Sequence, residues 1–170
     1  MSTTEPCPDP KCEDYLCRKW QRRRHLPTMK VVTAVFSRPD GRVLMSQRHN
    51  HKRCPGMWEW PGGKVDPGES DAVALYRECW EELGTVTTIR SLIWVATLWL
   101  DVKLTVSLYD CHLDPNHPPR AIESLGLAWF TPTEAVTTLS CTPTTFVAYE
   151  EVEMWLAQQR RHPEWKGRTG

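Results

Sequence analysis

Apolar and polar positions alternate along this chain in blocks that predict its elements. Val31 to Ser37 is apolar and β-branched, Arg38-Pro39-Asp40-Gly41 has turn chemistry, and Arg42 to Arg48 alternates as a second strand. A polar loop, His49 to Gly56, leads to a short extended stretch, Met57 to Trp60, ended by Pro61 and the pair Gly62-Gly63. Ser70 to Leu83 reads as a helix. At about 100° per residue, Ala72, Val73, Leu75, Tyr76, Cys79, Trp80 and Leu83 are expected on its inner side. Asp71, Arg77, Glu78, Glu81 and Glu82 are expected on the other, and Gly84 suits the stop that ends the helix. Val86 to Leu100 and Leu104 to His112 are rich in β-formers, Leu113 to Arg120 is a proline-rich loop, and Leu127 to Phe130 reads as a last strand. Thr131-Pro132-Thr133-Glu134 supplies an N-cap, a proline at N1 and a glutamate at N3. Thr142-Pro143 opens a final helix to about Arg161, with Val147, Val152, Trp155 and Leu156 inward. Strands interleaved with helices, and no internal repeat, predict one α/β (α+β) domain over 29–162. It lies between a Cys- and Arg-containing tail, 1–28, and a short C-terminal tail, 163–170.

The acidic end of the first helix is electrostatically misplaced. Glu78 and Glu82 are one turn apart with Glu81 between them, so like charges repel. Anions in a last helical turn also oppose the helix dipole. Three glutamates alone are an ordinary solvated face. Their neighbours change that reading, because Arg77 lies one turn before Glu81, Glu69 stands just ahead of the helix, and Gly62-Gly63 permits the close backbone approach that a ligand-facing loop needs. A cation seated among these carboxylates would remove the conflict. An all-oxygen site of this kind suits Mg²⁺, with Mn²⁺ as a substitute.

Gly63, five residues, Glu69, seven residues, then Arg77-Glu78-x-x-Glu81-Glu82-x-Gly84 resembles the Nudix box, the signature of the Nudix hydrolases, at every charged and glycine position. Cys79 and Thr85 stand where aliphatic residues are usual, and both concern packing behind the helix. The resemblance spans about residues 30 to 160 and implies an α/β/α sandwich around a mixed sheet. It implies metal ligation by Glu78, Glu81, Glu82 and the Gly62 carbonyl, with Glu69 and Arg77 orienting the glutamates and Lys64 facing phosphate. Arg48 to Lys64, ending in Met57-Trp58-Glu59-Trp60-Pro61-Gly62-Gly63-Lys64, is similar to the MutT branch, which converts nucleoside triphosphates to monophosphates and pyrophosphate. That likeness implies phosphate contact by Arg48. It also implies a further metal ligand or general base at Glu123, which precedes Trp129 by the MutT-type spacing and has Asp114 as its main rival. Gly63 and Arg53 fall in the same substrate-facing region, where Arg48, His49, His51, Lys52 and Arg53 form a cationic loop suited to a triphosphate. Trp60 is a candidate for stacking on a base. The bacterial MutT proteins carry an asparagine near the start of the final helix that reads an oxidised purine. Here the segment is Cys141-Thr142-Pro143-Thr144-Thr145, so any such contact must be made by other groups.

Composition narrows the setting. A chain of 170 residues suits one domain of ordinary size, and 21 basic against 21 acidic residues argue against a general nucleic-acid or membrane surface. No apolar run is long enough to cross a membrane, and the first residues lack the blocks of a secretory signal. Seven cysteines without such a signal predict reduced thiols and a cytoplasmic or nuclear location. Cys7, Cys12, Cys17 and His25 fit none of the compact zinc spacings. The expected activity is hydrolysis of a nucleoside diphosphate linked to X, first of all a canonical or modified nucleoside triphosphate. Capped RNA ends, nucleotide sugars and a binding module without turnover are the alternatives. The basic cluster Arg18 to His25 leans towards RNA, but the chain has no room for a substantial RNA-binding domain. Monomer and homodimer both remain open.

Overall fold

The computed structural model of the protein describes residues 22, 23 and 25–161. The tail placed at 1–28 and its cysteines lie largely outside these residues, as does the tail at 163–170. At its centre β1 (Thr28–Phe36) runs parallel to β6 (Lys103–Leu113). Every residue from Val32 to Phe36 is buried, which is why this strand reads as a continuous apolar run. The edges are β4 (Gly62–Lys64), antiparallel to β1, and β5 (Thr87–Trp99), antiparallel to β6, giving a mixed sheet in the order β4-β1-β6-β5. A second, antiparallel sheet has the order β3-β2-β7, from β3 (Trp58–Glu59), β2 (Val43–Arg48) and β7 (Ser124–Phe130).

Helices cover the sheet from both sides. On one side α1 (Asp71–Leu83) lays Ala74, Leu75, Cys79 and Leu83 on Val32, Ala34 and Phe36 of β1. Full burial of a leucine contributes about 1.5–3 kcal/mol, so Leu75 and Leu83 anchor the helix. On the other side α2 (Pro132–Thr138) and α3 (Pro143–Gln159) pack Ala135, Ala148, Val152, Trp155 and Leu156 with Val35, Val106 and Leu108. The result is the α/β/α sandwich expected from the sequence.

Four local expectations are corrected. Ala72, Val73, Tyr76 and Trp80 are exposed, while Glu82 is buried among the inner residues of α1. Leu75 and Glu82 are seven residues apart, about 20° short of two full turns, so they share a face whatever their polarity. In α3 Val147 is exposed and Thr145 and Ala148 take the inner positions. The glycine pair, read as a loop, pairs with β1 as a strand, Val32 opposite Gly63 and Thr33 opposite Gly62. β1 begins at Thr28, so the domain reaches one residue into the expected tail.

Candidate active site

The site is assembled where β4, the end of α1 and the loops before β3 and β7 meet. Gly62 has φ 141°, a conformation that disfavours side chains, and a Cβ there would stand 2.2 Å from the Val32 carbonyl oxygen. Its N–H donates to Glu82 Oε2 at 3.1 Å. A Cβ on Gly63 would lie 2.3 Å from the Glu78 carboxyl carbon. The two glycines thus let two helix glutamates press against a strand backbone.

Arg77 organises the remaining acids. Its Nε and Nη2 donate to the two oxygens of Glu69, each at 2.9 Å, a bidentate pair. Nη1 reaches Glu78 at 2.8 Å and Glu81 at 3.3 Å, and Nη2 also donates to the Lys64 carbonyl oxygen at 2.9 Å. Glu69 further accepts from the Asp66 N–H, and these bonds hold its carboxyl down at about 2. Burial pushes Glu78 and Glu82 upward instead; Arg77 offsets this in part for Glu78, and the Gly62 N–H and Lys52 do so for Glu82.

The left-handed Gly84 closes α1, its N–H meeting the Trp80 carbonyl oxygen at 2.9 Å. The last two helix carbonyls are taken by the incoming loop, Arg120 N–H to Leu83 oxygen and Ile122 N–H to Glu82 oxygen. That docking delivers Glu123 to Glu82. Lys52 bridges them, its Nζ 3.3 Å from Glu82 Oε1 and 3.1 Å from Glu123 Oε2. Asp114, the rival acid, is instead engaged with His117 and Asn116.

A cavity of about 610 Å³ opens beside these groups. Glu78, Glu82, Gly62, Gly63, Lys64, Lys52, Arg48 and Arg53 line its polar part, and Met29, Val31, Trp60, Leu104, Val106 and Leu108 its apolar part. Arg48 is paired with Glu59, and its Nε donates to the Arg53 carbonyl oxygen. Burial pushes Glu59 up to about 7 against the pull of Arg48. Arg53 is exposed and paired with Asp101 at 3.0 Å. Trp60 belongs to the core, only 3% exposed, and its indole N–H has no partner among the described residues. Thr142, Thr144 and Thr145, linked through the Thr142 hydroxyl at 3.0 and 3.1 Å, line the cavity where the bacterial MutT asparagine would be sought.

The structure therefore brings together Glu69, Arg77, Glu78, Glu81, Glu82, Glu123, Gly62, Gly63 and Lys64, with Arg48, Arg53 and Trp60 on the same cavity. Sequence reasoning missed Glu59 and the place of Lys52. Alternation along Trp58-Glu59-Trp60 would have set Glu59 apart from its neighbours. Nothing in the sequence pairs Lys52 with acids 30 and 71 positions away.

In all, six carboxylates (Glu59, Glu69, Glu78, Glu81, Glu82, Glu123) are matched by three cations, Arg48, Arg77 and Lys52. Lys64 and Asp66 on the rim add one charge of each sign. Counted formally, carboxyl groups exceed cations by three at the mouth of a cavity of nucleotide size, and burial of Glu59, Glu78 and Glu82 opposes their ionisation. Among the described residues no three of these side chains close round a common point, with Arg77 and Lys52 interposed between them.

The Nudix domain model matches residues 27–150, and the chain belongs to the Nudix family. It is 37% identical over 110 residues to the CTP pyrophosphohydrolase of Escherichia coli K12, covering 64% of this chain and 79% of that protein. It is 34% identical over 73 residues to the RNA pyrophosphohydrolase of Psychrobacter cryohalolentis, covering 43% of this chain and 40% of that one. The crystal structure of a MutT Nudix hydrolase from Burkholderia pseudomallei superposes with a TM-score of 0.65 at 29% identity, over 74% of this chain and 98% of that one. Within the family the chain is MutT-like, an enzyme with pyrophosphohydrolase activity on nucleotides.

Proposed function

We infer that the enzyme hydrolyses nucleoside triphosphates to monophosphates and pyrophosphate with Mg²⁺ as its cofactor. The observation that carries this reading is the excess of three carboxyl groups over cations beside the cavity, on a donor set made wholly of oxygens. Burial raises Glu78 and Glu82 above the ordinary glutamate value and Arg77 and Lys52 offset this only in part, so a further positive charge beside them is favourable. The donor chemistry fits a hard divalent ion, which would be held by Glu78, Glu81, Glu82 and the Gly62 carbonyl, with Glu123 as a further ligand or base. Such an ion neutralises a pyrophosphate and lowers the pKa of an attacking water. The protein's own groups do the rest. Arg77 and Glu69 keep Glu78 and Glu81 in place. Arg48, Arg53 and Lys64 give the cavity a cationic wall for phosphates, and its apolar end with Trp60 excludes water around the base. The cytidine nucleotide processed by the Escherichia coli relative sets the first substrate to test.

Replacing Glu82 by Gln should lower kcat/KM at least about a hundredfold without altering the circular dichroism spectrum. Wild-type turnover in a pure preparation of that variant would sink the reading. A second substrate class, capped RNA ends, is suggested by the RNA pyrophosphohydrolase from Psychrobacter only as far as RNA is concerned. Product analysis over canonical, oxidised and methylated triphosphates, nucleotide sugars and capped RNA separates the two. Release of pyrophosphate with a free monophosphate identifies the first.

A further inference from the structure

We propose that Lys52 is an exchangeable internal counter-ion: its ammonium holds Glu82 and Glu123 together until a divalent cation takes those carboxylates, and it then withdraws into the cavity. This rests on the reading that these carboxylates bind the cation. Glu82 has two oxygens, and the Gly62 N–H occupies Oε2. Oε1 is the oxygen that takes no backbone bond, and Lys52 sits on it at 3.3 Å. The same ammonium lies 3.1 Å from Glu123, the other acid assigned to the ion. One positive charge therefore stands where a divalent ion would, and the two cannot share the place without strong repulsion.

The loop is built so that the side chain can move while the backbone stays. The Lys52 N–H donates to the His49 carbonyl oxygen and the Gly56 N–H to that of Arg48, each at 3.0 Å. Gln47 Nε2 holds the Gly56 carbonyl oxygen from outside, also at 3.0 Å. Against this fixed frame Lys52 has a flexible stem and a partly exposed head. Its release ends in the cavity it already lines with Arg48, Arg53 and Lys64, on the wall assigned to phosphates. Metal entry thus converts a lysine that neutralises the enzyme into one that faces the substrate.

The test is a Mn²⁺ titration of the full-length, nucleotide-free protein, following free Mn²⁺ by electron paramagnetic resonance. Lys52→Met and Lys52→Gln should bind Mn²⁺ about fivefold more tightly than wild type, the worth of one partly exposed ion pair, and Lys52→Arg within about twofold of it. The neutral variants should also melt lower without metal, yet gain more on adding Mn²⁺. Unchanged or weaker Mn²⁺ binding in a neutral variant would overturn the proposal, since a purely structural tie would splay the acids and weaken the site. Should one neutral variant fail to fold, the other carries the comparison. Glu82→Gln separates the two readings. If it keeps wild-type Mn²⁺ affinity, these carboxylates are not the cation site and both readings fall. If it loses Mn²⁺ while Lys52→Met gains nothing, the counter-ion role alone falls.

Discussion

Arg77 directs its three nitrogens to three glutamates and one carbonyl, and so couples the shape of the site to one guanidinium. Its bond to Glu69 carries a pH signature. Glu69 titrates at about 2 in the folded chain against 4.5 for a free glutamate, so the unfolded chain binds more protons between these values. The stability it contributes is therefore complete above about pH 4.5 and is lost as pH falls towards 2. Urea midpoints of wild type and Glu69→Gln, measured from pH 6 to pH 2.5, should converge as the acid end is approached. A gap constant over that range would show that the carboxylate charge is not what Arg77 holds. Glu78 and Glu82 shift the other way, because burial favours their neutral forms.

At the scale of elements, ends carry more information than middles. α2 starts with a full capping box: Glu134 N–H donates to Thr131 Oγ1 at 3.1 Å and Thr131 N–H to Glu134 Oε2 at 3.3 Å. Thr131→Ala should cost about 1 kcal/mol in denaturant unfolding. A change within error would mean that packing of Pro132 and Ala135 alone secures the helix. This cap was legible in four consecutive residues, as was the Gly84 stop, because both are local. The faces of α1 were not read correctly. Hydrophobicity suggested Val73, Tyr76 and Trp80 as inner residues, while the angular spacing already placed Glu82 beside Leu75. A buried glutamate is costly unless it is bonded, and the Gly62 N–H and Lys52 that bond it come from distant segments. The Nudix box was plain in the sequence for the same reason that its geometry was not: spacing along the chain survives reading, partners across the fold do not.

For the whole molecule, the domain edge at Thr28 yields a direct comparison. Pro27 accepts the Lys103 N–H at 2.8 Å, and Thr28 and Met29 face Lys103 and Leu104 in the parallel pair. A chain starting at Arg22 should keep the turnover of the full chain within about twofold, whereas one starting at Lys30 should melt several degrees lower. Loss of turnover in a folded chain from Arg22 would make the preceding residues part of the site. The docking of Arg120 and Ile122 on the last carbonyls of α1 also has a meaning for how such an enzyme can vary. The acid at Glu123 is registered against the helix end and not against the strand that precedes it. His117, whose carbonyl oxygen takes the Thr85 hydroxyl at 2.6 Å, anchors the near side of this loop, so residues added between His117 and Arg120 can bulge outward, while the same change between Arg120 and Glu123 would move the acid off its mark. The proline-rich stretch is thus the place where this scaffold can accept new length without losing the alignment of its chemistry.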